Sequence, residues 1–257
     1  MRIYVILSML LIAFLGIEAK QLELTKPLNR NDEKVIRHEG YTCTFNTSRL
    51  TPTYVAWCLT RERTKGKVKR TNFFDVDPSI DKRFQVKHSD YSGSRYDRGH
   101  MCPSADNQYS QKAMVECFYM TNMCPQVAVL NQRWWGNLEN ACRRWVEKEG
   151  AVYICCGPIF DDAPAKTIGG RYNYSLRRNG IKVHVPTRFF KVVLSLKKGK
   201  EKAIGFIYNN DDSRQPMSDC CMSVDEVEKI TGLDFFTSLE DTLENRLEST
   251  YDFSAWK

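Results

Sequence analysis

An α+β fold in a single domain is what this sequence predicts, and three observations carry that reading. Strand-like runs and helical stretches are interspersed without the regular βαβ alternation of a parallel sheet. One long helical pattern dominates, with Val127, Leu130, Trp134, Leu138, Ala141 and Trp145 recurring at helical spacing. No internal repeat, low-complexity tract or Pro/Gly/Ser-rich linker divides the 257 residues, so one domain suffices.

Each element has its own local cause. Cys43 and Cys58 flank a strand–turn–strand, whose Tyr54 to Thr60 stretch is rich in β-branched and aromatic residues. Phe73 to Pro78 reads as an extended loop closed by the proline, and Ser104 as the cap of a helix reaching about Phe118. The long helix runs from Val127 to Lys148 and ends at Gly150. Ala151–Cys156, Lys182–Pro186, Phe189–Leu196 and Ala203–Tyr208 read as strands, the last three as a meander. Ser223 with Glu226 forms a capping box that opens a short helix stopping at Gly232. Leu239, Leu243 and Leu247 mark a final helix.

Residues 1–19 stand apart. Arg2, the apolar run Ile3 to Ile17 and the small Ala19 form the pattern of a cleaved secretory leader, too short to span a bilayer. Residues 20–257 then form the domain, nothing in them is apolar enough for a membrane span, and the expected location is secreted or periplasmic. In that setting ten cysteines point to disulfides, with Cys43–Cys58 the first expected pair, and Asn46-Thr47-Ser48 and Asn173-Tyr174-Ser175 are sequons if the host glycosylates. The vicinal pairs Cys155-Cys156 and Cys220-Cys221 lack zinc-site spacing. The formal charge is +7, patchy at Lys65–Arg70, Arg177-Arg178 and Lys197–Lys200. Such patches favour polyanions, although the third serves equally well as a solvated surface.

Three blocks carry the chemistry: Asp97-Arg98-Gly99-His100-Met101-Cys102-Pro103, Thr121 to Gln126, and Leu130 to Glu139. A neutral imidazole at His100 can take a proton from an attacking water, with Asp97 or a backbone carbonyl fixing its tautomer. The Asn131 amide oxygen is a hard, neutral ligand suited to magnesium. Glu139 lies about 12 Å further along an ideal helix axis, so both cannot ligate one ion directly unless the helix is broken. Trp134 belongs to the apolar stripe, whereas Trp135 fits either core packing or stacking on a base.

These blocks, DRGHMCPSADN, TNMCPQ and LNQRWWGNLE, resemble the DNA/RNA non-specific endonuclease family with its ββα-metal nuclease fold, a central, mainly antiparallel sheet flanked by helices. The likeness extends from the Val68–Pro78 segment to the Ser223–Phe236 segment. The resemblance implies His100 as general base and Asn131 as the direct protein ligand of Mg2+, with Mn2+ as a possible substitute. It also implies Glu139 as the group that holds water on that ion, Arg98 and Arg70 on phosphate, and Asn122 as a further site residue. Cys102 and Cys124 depart from the usual pattern, and a bridge between them would tie the His100 and Asn122 loops together. The function this implies is Mg-dependent endonucleolytic hydrolysis of DNA and RNA with 5′-phosphate products. Two alternatives remain at this stage: an inactive nucleic-acid-binding protein on the same scaffold, or a phosphodiesterase of non-polymeric diesters. A homodimer is possible for such a chain, but no exposed apolar helix face in the sequence argues for one.

Overall fold

The structure, a computed structural model, describes residues 21–161, 165–170, 172–173 and 178–257. The leader expected at residues 1–19 lies outside the described residues, as does the Asn173 side chain. Strands are β1 (Glu33–Arg37), β2 (Thr42–Asn46), β3 (Thr51–Thr60), β4 (Asp97–His100), β5 (Met123–Gln126), β6 (Ala151–Ile159) and β7 (Thr167–Gly169). They continue with β8 (Tyr172–Asn173), β9 (Arg178–Asn179), β10 (Lys182–His184), β11 (Arg188–Ser195), β12 (Lys202–Asn209) and β13 (Cys221–Met222). Helices are α1 (Arg61–Thr64), α2 (Gln111–Glu116), α3 (Gly136–Glu149), α4 (Met217–Cys220), α5 (Val224–Thr231) and α6 (Asp241–Glu248).

Seven strands form one sheet in the order β1-β2-β3-β6-β11-β12-β13, with every neighbouring pair antiparallel. Side chains alternate between its two faces, and both faces are covered. Val55, Trp57 and Leu59 of β3 join Phe189 and Val193 of β11 in the core beneath α3. Tyr54 and Ala56 of β3, with Phe190, Val192 and Leu194 of β11, pack against Val224, Val227 and Leu247 from α5 and α6. Double coverage explains why β11 reads as an almost unbroken apolar run. Its one interior charge, Lys191, lies on the α3 side at 1% exposure.

Four expectations are corrected. The helix from Ser104 to Phe118 is instead a 3-10 turn at Ser104–Asp106 followed by α2, which Ser110 caps through Ala113 N. Asn107 ends the first turn by donating from Nδ2 to Pro103 O at 2.9 Å, and the chain restarts beyond it. The expected meander fails at its first strand, because β10 pairs with β7 in a separate ribbon. The Gly/Pro-rich stretch around His100, which reads as a turn in the sequence, instead begins with a strand, since β4 pairs antiparallel with β5 and His100 stands opposite Met123. The long helix is present, but residues Leu130–Trp135 are wound as a π-helix before α3 begins.

The cysteines form no bridges. All ten are free thiols, eight of them buried. In the β2–β3 register Cys43 stands opposite Val55, so Cys58 points to the other face of the sheet and cannot reach it. Cys102 Sγ accepts from Asn107 Nδ2, and the buried Cys43 and Cys156 thiols donate to the carbonyls of Thr121 and Met101. They pack as small apolar groups with weak donors. Asn46, the first sequon asparagine, is buried with Nδ2 on Asp32, which leaves no room for a glycan.

Candidate active site

The site is built on β4, β5 and the helix that follows them. Pairing Asp97–His100 against Met123–Gln126 brings two motif blocks together, and the third descends from the end of β5. Gly99 is required here because a Cβ would sit 1.8 Å from Gln126 Oε1, inside the hairpin. Asn122 occupies the loop between them at 0% exposure. Its Oδ1 accepts from Cys102 N at 2.9 Å, and its Nδ2 donates to Cys102 O at 2.9 Å and Cys117 O at 2.8 Å. Both ends of that amide are consumed by backbone, so Asn122 latches the chain just after His100 instead of presenting a free group.

His100 is buried against the rings of Phe118, at 4.9 Å edge-on, and Phe74, at 5.7 Å. Burial disfavours the charged imidazolium, and Arg70 and Arg98 repel it, so its pKa falls from 6.5 to about 3. Nε2 is enclosed with no hydrogen-bond partner among the described residues, so Nδ1 is the nitrogen that could meet a water. Among the described residues no carboxylate fixes the tautomer. Asp97, expected as a candidate for that task, spends Oδ2 on Asn131 Nδ2 and Gln132 Nε2, each at 2.9 Å.

That bond settles what Asn131 offers. With Nδ2 turned to Asp97, the amide leaves Oδ1 free as an acceptor. Its position comes from the π-wound segment, a feature that recurs where helices carry functional groups. The same winding buries Trp134 and Trp135 side by side, and Trp135 packs on Phe189 and Tyr208. The base-stacking option for Trp135 is thereby closed. Glu139 follows in the first turn of α3 and makes no hydrogen bond or ion pair among the described residues. Burial pushes its carboxyl up to about 7, against the opposing charges of Lys191 and Arg143.

Two arginines border these groups. Arg98 lies over Phe74 with its guanidinium 4.5 Å from the ring centre, and its Nη1 lies 3.4 Å from His88 Nε2. Arg70 lies 4.9 Å over Phe118 and bonds Ser104 Oγ and Asn72 Oδ1. Asn72 takes a left-handed backbone at φ 56° to make that turn. Of the exposed basic loop, Arg70 is the side chain whose charge bears on His100.

Several supporting residues escaped sequence reading. Asp106 is buried and accepts from Arg143 Nη1 at 2.8 Å and Trp57 Nε1 at 3.1 Å. The Lys191 ammonium lies 4.4 Å from the Trp135 ring centre and 5.3 Å from that of Trp57. A lone lysine inside FFKVV was the available signal. Asp77 accepts from Thr121 Oγ1 at 2.6 Å and meets His38 Nε2 at 2.9 Å, anchoring the loop behind β5.

The donor set fits a hard divalent cation: a fixed amide oxygen, the Glu139 carboxyl further along the same helical segment, and two guanidinium groups for anionic oxygens. A buried neutral histidine, an amide with a free acceptor oxygen and arginines on a strand–strand–helix unit are the groups that a phosphodiester-cleaving nuclease would use. The chain belongs to the DNA/RNA non-specific endonuclease family, whose model matches residues 20–242. It is 36% identical over 220 residues to "Nuclease 1, mitochondrial" of Schizosaccharomyces pombe, covering 81% of this chain and 67% of that protein. It is 32% identical over 206 residues to "Endonuclease G, mitochondrial" of Homo sapiens, covering 78% and 69% respectively. Among solved structures it resembles the nuclease of an EndoG/EndoGI inhibitory complex with a TM-score of 0.72 and 29% identity, over 81% of this chain and 88% of that one. The chain is therefore an endonuclease on the ββα-metal fold. The expected secreted or periplasmic location is overturned by these relatives, two of which are mitochondrial by name.

Proposed function

We propose that this chain is a mitochondrial, magnesium-dependent nuclease that cuts both DNA and RNA internally and leaves 5′-phosphate ends. The carrying observation is the Asp97–Asn131 bond at 2.9 Å, which ties the amide to the strand that bears His100. Neutral His100 takes the proton of a water attacking phosphorus. Arg98 and Arg70 face the charge that grows on the phosphoryl oxygens. Asn131 Oδ1 would hold the cation directly, with Glu139 behind it. When bound, the ion supplies Lewis-acid polarisation of the phosphoryl group and charge stabilisation at the departing 3′-oxygen. Recognition falls on phosphates through exposed Lys65, Lys67, Lys69 and Arg70, so base preference is weak. Ten unbridged thiols fit a compartment that keeps cysteines reduced.

The test is digestion of supercoiled plasmid and of a structured RNA by wild type, His100→Ala and Asn131→Ala, with Mg2+ and with EDTA. Loss of cutting by at least ~100-fold in both variants and in EDTA is expected. Undiminished cutting by His100→Ala would remove it as the base.

A further inference from the structure

A second group of carboxylates lies on α5 and α6, on the opposite face of the sheet from His100. Carboxylate oxygens of Asp225, Glu228 and Glu248 all lie within 4.8 Å of one another. Glu244 and Asp234 stand close enough to add to the same negative field. Such clusters are common on protein surfaces and signify nothing by themselves. Glu248 sets this one apart, because it is 5% exposed and its Oε1 is buried with no hydrogen-bond partner among the described residues. No ion pair reaches Glu228, Glu244 or Glu248 among the described residues, and Lys26 meets only the outlying Asp234, at 3.5 Å. Glu228 keeps one oxygen on Phe235 N at 2.7 Å, which fixes its carboxylate without neutralising it.

An uncompensated buried carboxylate is costly, and two further carboxylates converging on Glu248 raise that cost. A divalent cation offsets that cost. Oxygens separated by up to 4.8 Å span a coordination shell of Ca2+, whose ligands lie about 2.3–2.6 Å from the ion, more readily than the tighter shell of Mg2+ at about 2.0–2.1 Å. The exposed Asp225 leaves one side open for water ligands. We infer that Asp225, Glu228 and Glu248 form a calcium site that clamps α5 to α6, separate from the nuclease centre. Burial and the neighbouring carboxylates push Glu248 up to about 9, so calcium uptake at neutral pH displaces a proton from it.

The experiment is calcium titration calorimetry in two buffers of different ionisation enthalpy, with thermal melts, on the full chain and on Glu248→Gln and Asp225→Asn. Wild type is expected to bind one more Ca2+ than either variant, with a Kd of roughly 0.1–1 mM and release of about one proton. Its Tm should rise by roughly 3–6 °C at ten times that Kd, and the rise should vanish in both variants. Magnesium-dependent cutting should be unchanged, because neither residue belongs to the nuclease centre. Glu248→Gln replaces a buried protonated carboxyl by a neutral group of the same shape and should fold at least as well as wild type, and the exposed Asp225→Asn provides an independent check. Equal calcium stoichiometry in all three chains, or a wild-type Tm indifferent to calcium, would overturn the site and leave Glu248 as a permanently protonated carboxyl.

Discussion

At the scale of single residues, the site depends on which protonation state burial selects. A free imidazole gains its proton below 6.5, whereas His100 holds off until about 3. Between those values the unfolded chain binds more protons than the folded one, so stability falls as pH drops. This group contributes no penalty above 6.5, and below it costs up to about 1.4 kcal/mol per pH unit until about 3. Thermal melts from pH 7.5 to 4 should show a steeper acid decline in wild type than in His100→Gln. Equal slopes would mean that His100 titrates like a surface histidine. In the proposed mechanism a different residue would govern affinity for the metal. Asp97→Ala should free the Asn131 amide to rotate and raise the half-saturating magnesium concentration by roughly 10–100-fold, as loss of an outer-shell partner does elsewhere. Magnesium titration of plasmid nicking checks this, and an unchanged midpoint would show that Asn131 is held by other means.

Elements decide where those residues stand, and here the sequence was only partly legible. The capping box at Ser223 and the left-handed Gly232 bounded α5 as expected, because cap chemistry is local. The β11–β12 hairpin was readable from its β-branched runs. By contrast β4 was hidden: a four-residue strand holding Gly99 and ending at His100 has no period-2 pattern to detect, and its partner β5 contains a proline. The π-wound turn was equally hidden, since Leu130, Trp134 and Leu138 satisfy α-helical spacing. It showed itself only in Trp135, buried although off the stripe. The residues gathered at the site were legible through their motifs, while Asp106 in the 3-10 turn after β4 and Lys191 on β11, which flank them, were not. Gly99 offers a direct check on the hairpin. A Cβ at that position meets Gln126 Oε1 at 1.8 Å and Cγ at 2.6 Å, with Gln126 itself fully buried. Gly99→Ala should cost about 1–3 kcal/mol in urea unfolding and depress cutting through displacement of His100. A variant of wild-type stability would mean that β4 and β5 separate without cost.

Over the whole molecule, one antiparallel sheet holds two halves apart, the nuclease unit on one face and α5 with α6 on the other. The α+β class was legible because alternation and helical period average over many residues. The cysteine chemistry was misread because it was inferred from a supposed compartment instead of from strand register, which puts Cys43 and Cys58 on opposite faces. Those ten thiols have a use beyond packing, as sentries posted through the fold: β2, β3, α3, β6 and the loops around β4 and β5 each carry at least one. A thiol reagent can modify each sentry only when its neighbourhood opens, so the order of modification records the order in which the protein comes apart. Cys58 and Cys221, both partly exposed, should react first in native buffer, at rates held down because burial raises both thiols, Cys58 to about 11. Cys102, Cys124 and Cys156, buried around the core of the nuclease unit, should react only at the rate of global opening, and divalent cation should slow them further. Mass spectrometry of pulse-labelled protein reads that sequence directly, and simultaneous labelling of all ten would show that the molecule opens as a single cooperative unit.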